Sequence, residues 1–280
     1  MQQLEVPLEA PQQARPQQTS GVDPYVQEEL PASNGNLYRT LQYRLRRYPI
    51  PELRLPDGDG KRFLDIGCHW GRWSIAATKK GYVVAGIDPN MLAIRAAKRV
   101  AQQFGVDINY QIAGGEAIPF SDATFDVVFS YGVLQHLTKE RAKNTLLEIR
   151  RVLKPGGIAV VQMPNWLGVR SLYDQAKRGF KRRNLPYLAV DYWGMHELRK
   201  AFKKIGPVRL SVEGFFVLGV QPADVGMLPR RLRPIVHASE ALRHFSMHFR
   251  PLLYFADSVY VTARKPVDPE SASAAARKKS

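Results

Sequence analysis

Two acidic residues that end short apolar runs indicate a site for a nucleotide-type ligand. Asp65 lies in the run 63–66, and Asp88 follows the run 82–87, 23 residues further along the chain. A loop with glycines at positions 67 and 71 follows the first run. Such a loop before a helix offers unpaired backbone N–H groups to a ligand. The carboxylate of Asp88 can accept hydrogen bonds from both hydroxyls of a ribose, the role that we favour. Because Pro89 suits a first helical turn, Asp88 could also cap the next helix, and both roles are compatible.

Strands and helices alternate along the chain, which predicts an α/β fold with a doubly wound, mostly parallel sheet. Apolar residues recur at spacings of three and four between Ile94 and Phe104, which predicts a helix over 90–105. Thr138 is the predicted cap of a helix that Lys154-Pro-Gly-Gly157 stops, and a third helix is predicted over 197–205. The predicted strands are 63–66, 82–87, 109–113, 125–130, 158–163, 208–213 and 258–263.

A series of motifs continues from these first strands through about residue 165. The first loop has an Asp-x-Gly-x-x-x-Gly spacing at Asp65, Gly67 and Gly71. Further along stand Ala-Gly-Gly-Glu-Ala-Ile-Pro-Phe over 113–120, Ser-Asp-Ala-Thr-Phe-Asp over 121–126, Val-Val-Phe-Ser-Tyr-Gly-Val-Leu-Gln-His-Leu over 127–137, and Arg-Val-Leu-Lys-Pro-Gly-Gly-Ile-Ala-Val-Val over 151–161. Taken together, these stretches resemble the class I S-adenosylmethionine-dependent methyltransferases, in the branch that includes the quinone and sterol methyltransferases.

The resemblance implies a Rossmann-like sheet of seven strands, whose last strand is antiparallel and inserts between the fifth and the sixth. It implies S-adenosylmethionine as the cofactor, with Asp88 as the ribose-binding acid. The residues that it assigns to the cofactor site are Asp65, Gly67, Cys68, His69, Gly71, Asp88, Pro89, Asn90, Gly115, Glu116 and Ser130. Two positions depart from the family pattern. His69 replaces the middle glycine of the loop, and Gly114 stands where relatives often have an acid that faces the adenine amino group. Backbone groups around Gly115 and Glu116 would then hold the adenine.

Other chemistries fit the sequence less well. A nicotinamide dinucleotide site needs the pattern G-x-G-x-x-G, which the loop Gly67-Cys-His-Trp-Gly-Arg72 does not complete. Asp65 also suits the positive amino group of a methionine moiety better than a pyrophosphate. After the fourth strand stands Ser130-Tyr-Gly-Val133 instead of Asp/Asn-Pro-Pro-Tyr/Phe, which disfavours a nucleobase or glutamine nitrogen as the acceptor. The lone cysteine and the scattered histidines lack metal-ligand spacing, so no metal site is predicted.

A hydroxyl acceptor benefits from a base that takes its proton, and His136 is the leading candidate for that base. His136 follows the fourth strand, and Tyr131, the second predicted catalytic residue, lies close to it. In similar proteins this turn lines the acceptor pocket. A histidine that is bonded only to local backbone fits the sequence equally well. His69 and His196 are further candidates for the wall of the pocket.

The net charge of +16 is concentrated in the second half of the chain, since residues 166–265 contain 18 Lys and Arg against 7 Asp and Glu. Such a field attracts anionic small molecules, acidic lipid surfaces or nucleic acid, although solvated bases without a partner are an equally simple explanation. Two basic insertions, at about 165–192 and 217–256, could fold over the methyl-transfer side as helical lids.

From the motif series, the absence of an amine-methylase signature and these insertions, we expect methyl transfer to a hydroxyl, or less favourably a carbon, of a small-molecule, lipid-linked or glycan-type acceptor. Contact with a membrane surface is a further expectation. RNA methylation, which charge alone supports, and a non-catalytic cofactor-binding role are the alternatives.

The rest of the composition concerns domain organisation and compartment. The segment 1–34 is rich in Gln and Pro and is predicted to be disordered, as is the tail 266–280, which leaves the methyltransferase domain over 35–265. Cys68 is the only cysteine, so a disulfide framework is excluded and a reducing compartment is favoured. The chain lacks the roughly 18 consecutive apolar residues of a membrane span and a secretion signal, so we expect a cytoplasmic protein. The oligomeric state is left open.

Overall fold

The computed structural model describes residues 21–177, 179–180, 190, 192–216 and 219–267. In these residues seven strands form one sheet, and helices pack on both of its faces. The strands are β1 (Arg62–Ile66), β2 (Val83–Asp88), β3 (Asn109–Ile112), β4 (Phe125–Tyr131), β5 (Leu153–Pro164), β6 (Val208–Gly214) and β7 (Ser258–Arg264). The α-helices are α1 (Pro24–Asn34), α2 (Arg72–Lys79), α3 (Met91–Gln103), α4 (Lys139–Val152), α5 (Val169–Lys177), α6 (Met195–Phe202) and α7 (Arg233–Ser246).

The strand order is β3-β2-β1-β4-β5-β7-β6. Strands β1 to β5 pair in parallel, whereas β7 is antiparallel to both β5 and β6. This topology confirms the predicted doubly wound sheet, with its last strand inserted antiparallel between the fifth and the sixth. The strand order reverses between β1 and β4. In sheets of this kind ligands bind at the carboxyl edge beside that reversal.

The alternation of side chains along the strands divides the core into two layers. On one face, Phe63 and Phe129 pack in a cluster that also holds apolar residues of α1, α2 and α3. On the other face, Leu64 and Val128 belong to a cluster with apolar residues of α4 and α6. These four strand residues are almost completely buried, so β1 and β4 form the centre of the domain and fix the position of the loops at their carboxyl ends.

Capping residues place the helices close to where the sequence predicts them. The Asn90 side chain accepts hydrogen bonds from the N–H groups of Leu92 and Ala93 and begins α3. Thr138 caps α4 as predicted, by accepting a hydrogen bond from the N–H of Arg141. The predicted boundary after α4 differs, because β5 begins at Leu153, directly after the helix, and not at residue 158. The reason is that Leu153 pairs with Phe125 before a register shift.

The prediction that residues 1–34 are disordered is wrong for residues 24–34, which form α1. Pro24 occupies the first turn, and the Asp23 carboxylate accepts a hydrogen bond from the N–H of Tyr25. Val26 and Leu30 of α1 are fully buried against the core. Two apolar anchors at helical spacing and a cap therefore order a segment whose composition is polar overall. Residues 1–20 lie outside the described residues.

The two predicted insertions contain helices in their described parts. The first contains α5, whose start is held by the Asp257 carboxylate, which accepts hydrogen bonds from the N–H groups of Arg170 and Ser171. Positions 178, 181–189 and 191 of this insertion lie outside the described residues, as do 217–218 of the second and 268–280 of the tail. The second insertion contains 3₁₀ turns over Pro222–Met227, Arg230–Leu232 and Arg250–Tyr254, with α7 between the last two. Within the part of the chain that is described, no helix has the length and apolar character to cross a bilayer.

Candidate functional site

The loop between β1 and α2 requires its two glycines. Gly67 has φ +70°, and a Cβ atom there would lie 2.2 Å from a methyl carbon of Val133. Gly71 has φ +87° and directly precedes α2, and a Cβ atom there would lie 2.3 Å from the Tyr110 hydroxyl oxygen. No other residue type fits either position without strain. The geometry therefore explains why both positions are glycine, and their predicted contact with the cofactor stays a prediction.

His69, at the position of the missing middle glycine, has φ +48°. The left-handed conformation that a glycine would supply is thus present, and histidine is among the few other residues that adopt it with some frequency. Its ring stacks on Tyr25 of α1, with 5.7 Å between ring centroids. Burial lowers the pKa of His69, against the opposing effect of the Asp88 charge. The departure from the family pattern is therefore accommodated by the loop, and α1 packs on the substituted side chain.

Asp88 connects the loops that follow β1 and β2. Its Oδ2 accepts a hydrogen bond from the backbone N–H of His69 at 3.0 Å, and its Oδ1 accepts one from the N–H of Asn90 at 2.9 Å. The carboxylate is buried, while the intervening Pro89 is exposed. Each carboxylate oxygen can accept a second hydrogen bond. The predicted capping role of Asp88 is wrong, because Asn90 caps α3 and Asp88 holds the backbone of that cap residue. The predicted ribose-binding role of Asp88 stays a prediction that this geometry permits.

Asp65 lies beneath the loop and not at its surface. Its carboxylate is fully buried and accepts a hydrogen bond from the Ser74 hydroxyl at 2.6 Å, which ties β1 to α2. Burial raises the pKa of Asp65 to about 7, against the opposing effect of the Ser74 hydrogen bond. The side chain on which we based a contact with the methionine amino group is therefore committed to Ser74.

Two other side chains assigned to the cofactor are buried and committed elsewhere. The Ser130 hydroxyl is fully buried and donates to the carbonyl of Ile66 at 3.1 Å, and the predicted place of this residue in the cofactor site stays a prediction. The Cys68 thiol is buried as well, and burial raises its pKa. Cys68 therefore packs as a small buried side chain, and its backbone N–H donates to the carbonyl of Ile87.

The loop after β3 has a closed side and an open side. A Cβ atom at Gly115 would lie 2.7 Å from the Thr145 methyl carbon, whereas one at Gly114 would meet no heavy atom within 4 Å. The Glu116 carboxylate forms an ion pair with Arg141 of α4 at 2.6 Å. The backbone at Gly114 therefore faces open space, and the predicted contact of adenine with the backbone around Gly115 and Glu116 stays a prediction.

The two predicted catalytic residues follow β4 but lie in different surroundings. The Tyr131 hydroxyl donates to Oε1 of Glu213 at 3.0 Å, and its ring packs on Trp73 with 4.8 Å between centroids. Burial raises the pKa of Tyr131 well above its usual value, and the negative charge of Glu213 adds to the effect. His136 lies half-buried in the 3₁₀ turn Leu134–His136, with its Nε2 3.2 Å from the Gln135 amide nitrogen. The predicted catalytic role of each residue stays a prediction, and the geometry favours His136.

A buried polar group that the sequence did not reveal lies beside the β1–α2 loop. Arg72, the first residue of α2, lies with Nη2 3.6 Å from Oδ2 of Asp224 in the second insertion. The Tyr38 hydroxyl donates to the same carboxylate. The Arg72 guanidinium is almost completely buried and also lies over the rings of Tyr38 and Trp73. The sequence did not reveal this contact, because Arg72 and Asp224 lie in segments that are distant in the sequence.

Comparison with known protein families agrees with this geometry. A family model described as a methyltransferase domain matches residues 63–157, the stretch that contains both glycine positions, Asp88 and the β4 turn. Residues 63–157 therefore form a methyltransferase domain, in agreement with the resemblance to the class I S-adenosylmethionine-dependent methyltransferases. The resemblance stated from the motifs is thereby confirmed.

Similar curated proteins match only part of this chain. The ubiquinone biosynthesis O-methyltransferase of Cereibacter sphaeroides is 36% identical over 107 residues, which are 38% of this chain and 42% of that protein. An uncharacterized methyltransferase of a Synechocystis strain is 30% identical over 126 residues, 44% of this chain and 58% of its own length. The chain thus aligns with less than two thirds of the length of either relative.

Solved structures show the same fold at low sequence identity. The YcgJ protein of Bacillus subtilis has a TM-score of 0.50 and 18% identity, and the match covers 75% of this chain and 94% of that one. The [4+2]-cyclase SpnF has a TM-score of 0.52 and 17% identity, with 89% of this chain and 100% of that chain covered. At such identities the likeness concerns the fold of the methyltransferase and not its acceptor.

Proposed function

We propose that this protein transfers the methyl group of S-adenosylmethionine to a hydroxyl group of a small-molecule, lipid-linked or glycan-type acceptor. The observation that carries the proposal is the joint position of the glycine loop and Asp88 at the carboxyl edge beside the strand reversal. The similarity to a protein named as an O-methyltransferase favours oxygen over carbon as the methyl acceptor.

The residues present fit the cofactor. The Asp88 carboxylate keeps acceptor capacity for ribose hydroxyls, and the backbone at Gly114 faces open space that an adenine could fill. When bound, S-adenosylmethionine supplies an electrophilic methyl group on a sulfonium centre. The contribution of the protein is to orient the reactants and to exclude water, which is the main part of catalysis in such a displacement.

His136 is the base that we assign to the acceptor hydroxyl. It lies in the turn directly after β4, at the carboxyl edge, and imidazole titrates near neutral pH. Tyr131 suits the role less well, because its hydroxyl donates to Glu213 and because burial raises its pKa. We assign Tyr131 to the support of the acceptor side, through its contacts with Trp73 and Glu213.

The second insertion carries exposed aromatic and basic side chains, which favour an apolar acceptor and contact with a membrane surface. Phe245 and Phe249 stack on each other with 5.9 Å between ring centroids, and each is at least half exposed. Arg250 follows directly and is exposed as well. Exposed aromatic rings beside cationic side chains suit the interface of a membrane with acidic lipids. We therefore include peripheral membrane contact in the proposed function.

The test is methyl transfer from S-adenosylmethionine labelled in its methyl group. The purified protein is incubated with a cell extract separated into small-molecule, lipid, glycan and RNA fractions. We expect label in a lipid or small-molecule fraction, in a form that ether-cleaving acid releases, as an O-methyl group requires. Label that resists cleavage would indicate carbon methylation, and label in RNA would contradict the proposed acceptor. Calorimetric binding of the cofactor without label in any fraction would support a non-catalytic role.

The base is tested with His136→Gln against His237→Gln, an exposed histidine of α7. Loss of a general base costs about a hundredfold to ten-thousandfold in turnover. We expect a loss of this size for His136→Gln with unchanged affinity for S-adenosylmethionine, and no loss for the control. Equal turnover of the two variants would remove His136 from the mechanism.

A further inference from the structure

A large groove lies between the sheet and the second insertion, on the face that carries α2 and α3. Its volume is about 790 Å³, within the range of small-molecule sites. Phe129, Val160 and Tyr260 line it from β4, β5 and β7, and Met247 and Leu253 line it from the second insertion. The groove therefore has apolar walls on two sides, which suits a hydrocarbon chain.

Cationic side chains accompany these apolar walls. The lining residues, all within the described chain, include five arginines and no carboxylate: Arg54, Arg199, Arg209, Arg243 and Arg250. Arg54 and Arg243 are both paired with Glu240. In contrast, no hydrogen bond or ion pair joins the side chain of Arg209 or Arg250 to another residue of the described chain, and both side chains are exposed. The guanidinium groups of Arg209 and Arg250 are thus available to an anion at the groove, and guanidinium binds carboxylate or phosphate in a bidentate manner.

The groove is distinct from the cofactor site. Phe129 and Val160 lie in the middle of their strands, and Arg209 pairs with Thr262 near the opposite edge of the sheet. Tyr260, at one side of the groove, lies beside Tyr131, which belongs to the carboxyl edge, with 6.3 Å between ring centroids. A ligand of the groove would therefore lie along the face of the sheet, behind the aromatic residues of the methyl-transfer side.

We propose that this groove binds a lipid that has one hydrocarbon chain and an acidic head group. The apolar walls receive the chain, and Arg209 and Arg250 receive the head group. The unpaired arginines disfavour a neutral lipid as the preferred ligand, and the volume and the apolar lining favour a hydrocarbon chain over an acidic peptide. Binding requires no methyl transfer, so this proposal and the proposed function can fail independently.

The direct test is calorimetry of the full chain, without S-adenosylmethionine, against three monomeric lipids with the same oleoyl chain. Oleate carries a carboxylate, oleoyl lysophosphatidic acid carries a phosphate, and monooleoylglycerol is neutral. We expect both acids to bind at least tenfold more tightly than the neutral lipid, and the tighter of the two identifies the head group. Each methylene removed from the chain should weaken binding by about fourfold. Equal affinity for all three lipids, or no binding of any, would overturn the proposal.

Three variants locate the binding. Arg209→Gln with Arg250→Gln should abolish the preference for acids and keep the neutral affinity, whereas Arg95→Gln with Lys98→Gln, an equal charge change on exposed positions of α3, should alter neither. Ser211→Trp, at an exposed position of β6 that lines the groove, should prevent binding of all three lipids. The unfolding temperature and the affinity for S-adenosylmethionine serve as the folding controls. Equal effects of the two double variants, or lipid binding that survives Ser211→Trp, would contradict the groove as the site. Binding to acidic vesicles but to none of the three monomeric lipids would indicate a membrane surface instead. Loss of lipid binding when the chain self-associates would indicate that a second copy of the chain occupies the groove.

Discussion

The backbone N–H of His69 donates a hydrogen bond to Oδ2 of Asp88 at 3.0 Å. This contact joins the loop after β1 to the end of β2, the neighbouring strand, and the other Asp88 oxygen holds the start of α3 through the N–H of Asn90. The residue that would grasp a ribose therefore also fixes the loop that would hold the rest of the cofactor. Because of this double role of Asp88, the site is already organised before a ligand binds.

The conformation of His69 predicts an order of stability for two variants. With φ at +48°, alanine at this position should be less stable than glycine by about 1 kcal/mol, because a Cβ atom is disfavoured in the left-handed region. Both His69→Ala and His69→Gly lose the stack on Tyr25, so that loss cancels in the comparison. Urea unfolding of the two variants measures the difference. A more stable alanine variant would show that the loop does not have this conformation in solution.

The raised pKa of Asp65 predicts a dependence of stability on pH. The pKa is about 7 in the folded protein against an ordinary value of 3.8, so between these values the folded state keeps a proton that the unfolded state has lost. Unfolding then releases a proton, and this contribution to the free energy of unfolding falls as the pH rises from about 4 to about 7, with a slope of up to about 1.4 kcal/mol per pH unit.

Asp65→Asn removes the titration and keeps an acceptor for the Ser74 hydroxyl. The difference between the free energies of unfolding of the parent and of this variant should therefore decline over pH 4.5 to 7 and then become constant. Denaturant titrations at several pH values test the expectation. Parallel stability curves over the whole range would show that Asp65 is ionised in the folded protein.

The buried pair of Arg72 and Asp224 predicts strong energetic coupling between the β1–α2 loop and the second insertion. Removal of one partner leaves a buried charge without compensation, which costs about 3–5 kcal/mol. We expect a cost of this order for Arg72→Met and for Asp224→Asn separately, and a cost for the double variant that is clearly below their sum. Arg95→Met, at an exposed position of α3, is the control and should change little. Additive effects in the cycle would show that the two residues do not interact.

The order of α1 predicts that Asp23 stabilises the protein. Its buried carboxylate accepts the hydrogen bond from the N–H of Tyr25 and pairs with Arg99 at 2.5 Å. Since Arg99 is more than half exposed, we assign most of the effect to the cap, about 1 kcal/mol. Asp23→Ala should therefore lower the free energy of unfolding by that amount, while Glu28→Ala, at an exposed position of the same helix, should not. Equal effects of both variants would argue that α1 is not docked on the domain.

The strands follow from local pattern, because a buried strand needs only a short apolar run and because glycine loops and caps mark its ends. Their order was implied by the resemblance to the methyltransferase family. The sequence was less informative for α1, whose polar composition conceals the two buried residues Val26 and Leu30. It also could not reveal which side chains meet. The bond of Tyr131 to Glu213 spans 82 residues, and that of Tyr38 to Asp224 spans 186. Periodicity predicts the face on which a side chain lies but not its partner, so the side-chain positions of Asp65, Ser130 and Tyr131 needed the structure.

The most direct measurement is calorimetric titration of S-adenosylmethionine into the parent protein, Asp88→Ala and Asp107→Ala, the last being an exposed acid between α3 and β3. Hydrogen bonds to a charged group are worth about 1.5–3 kcal/mol, so the account predicts that Asp88→Ala raises the dissociation constant by roughly tenfold to a hundredfold, while Asp107→Ala leaves it unchanged. Binding to Asp88→Ala with the affinity of the parent protein would contradict the assignment of the cofactor to the carboxyl edge of β1 and β2.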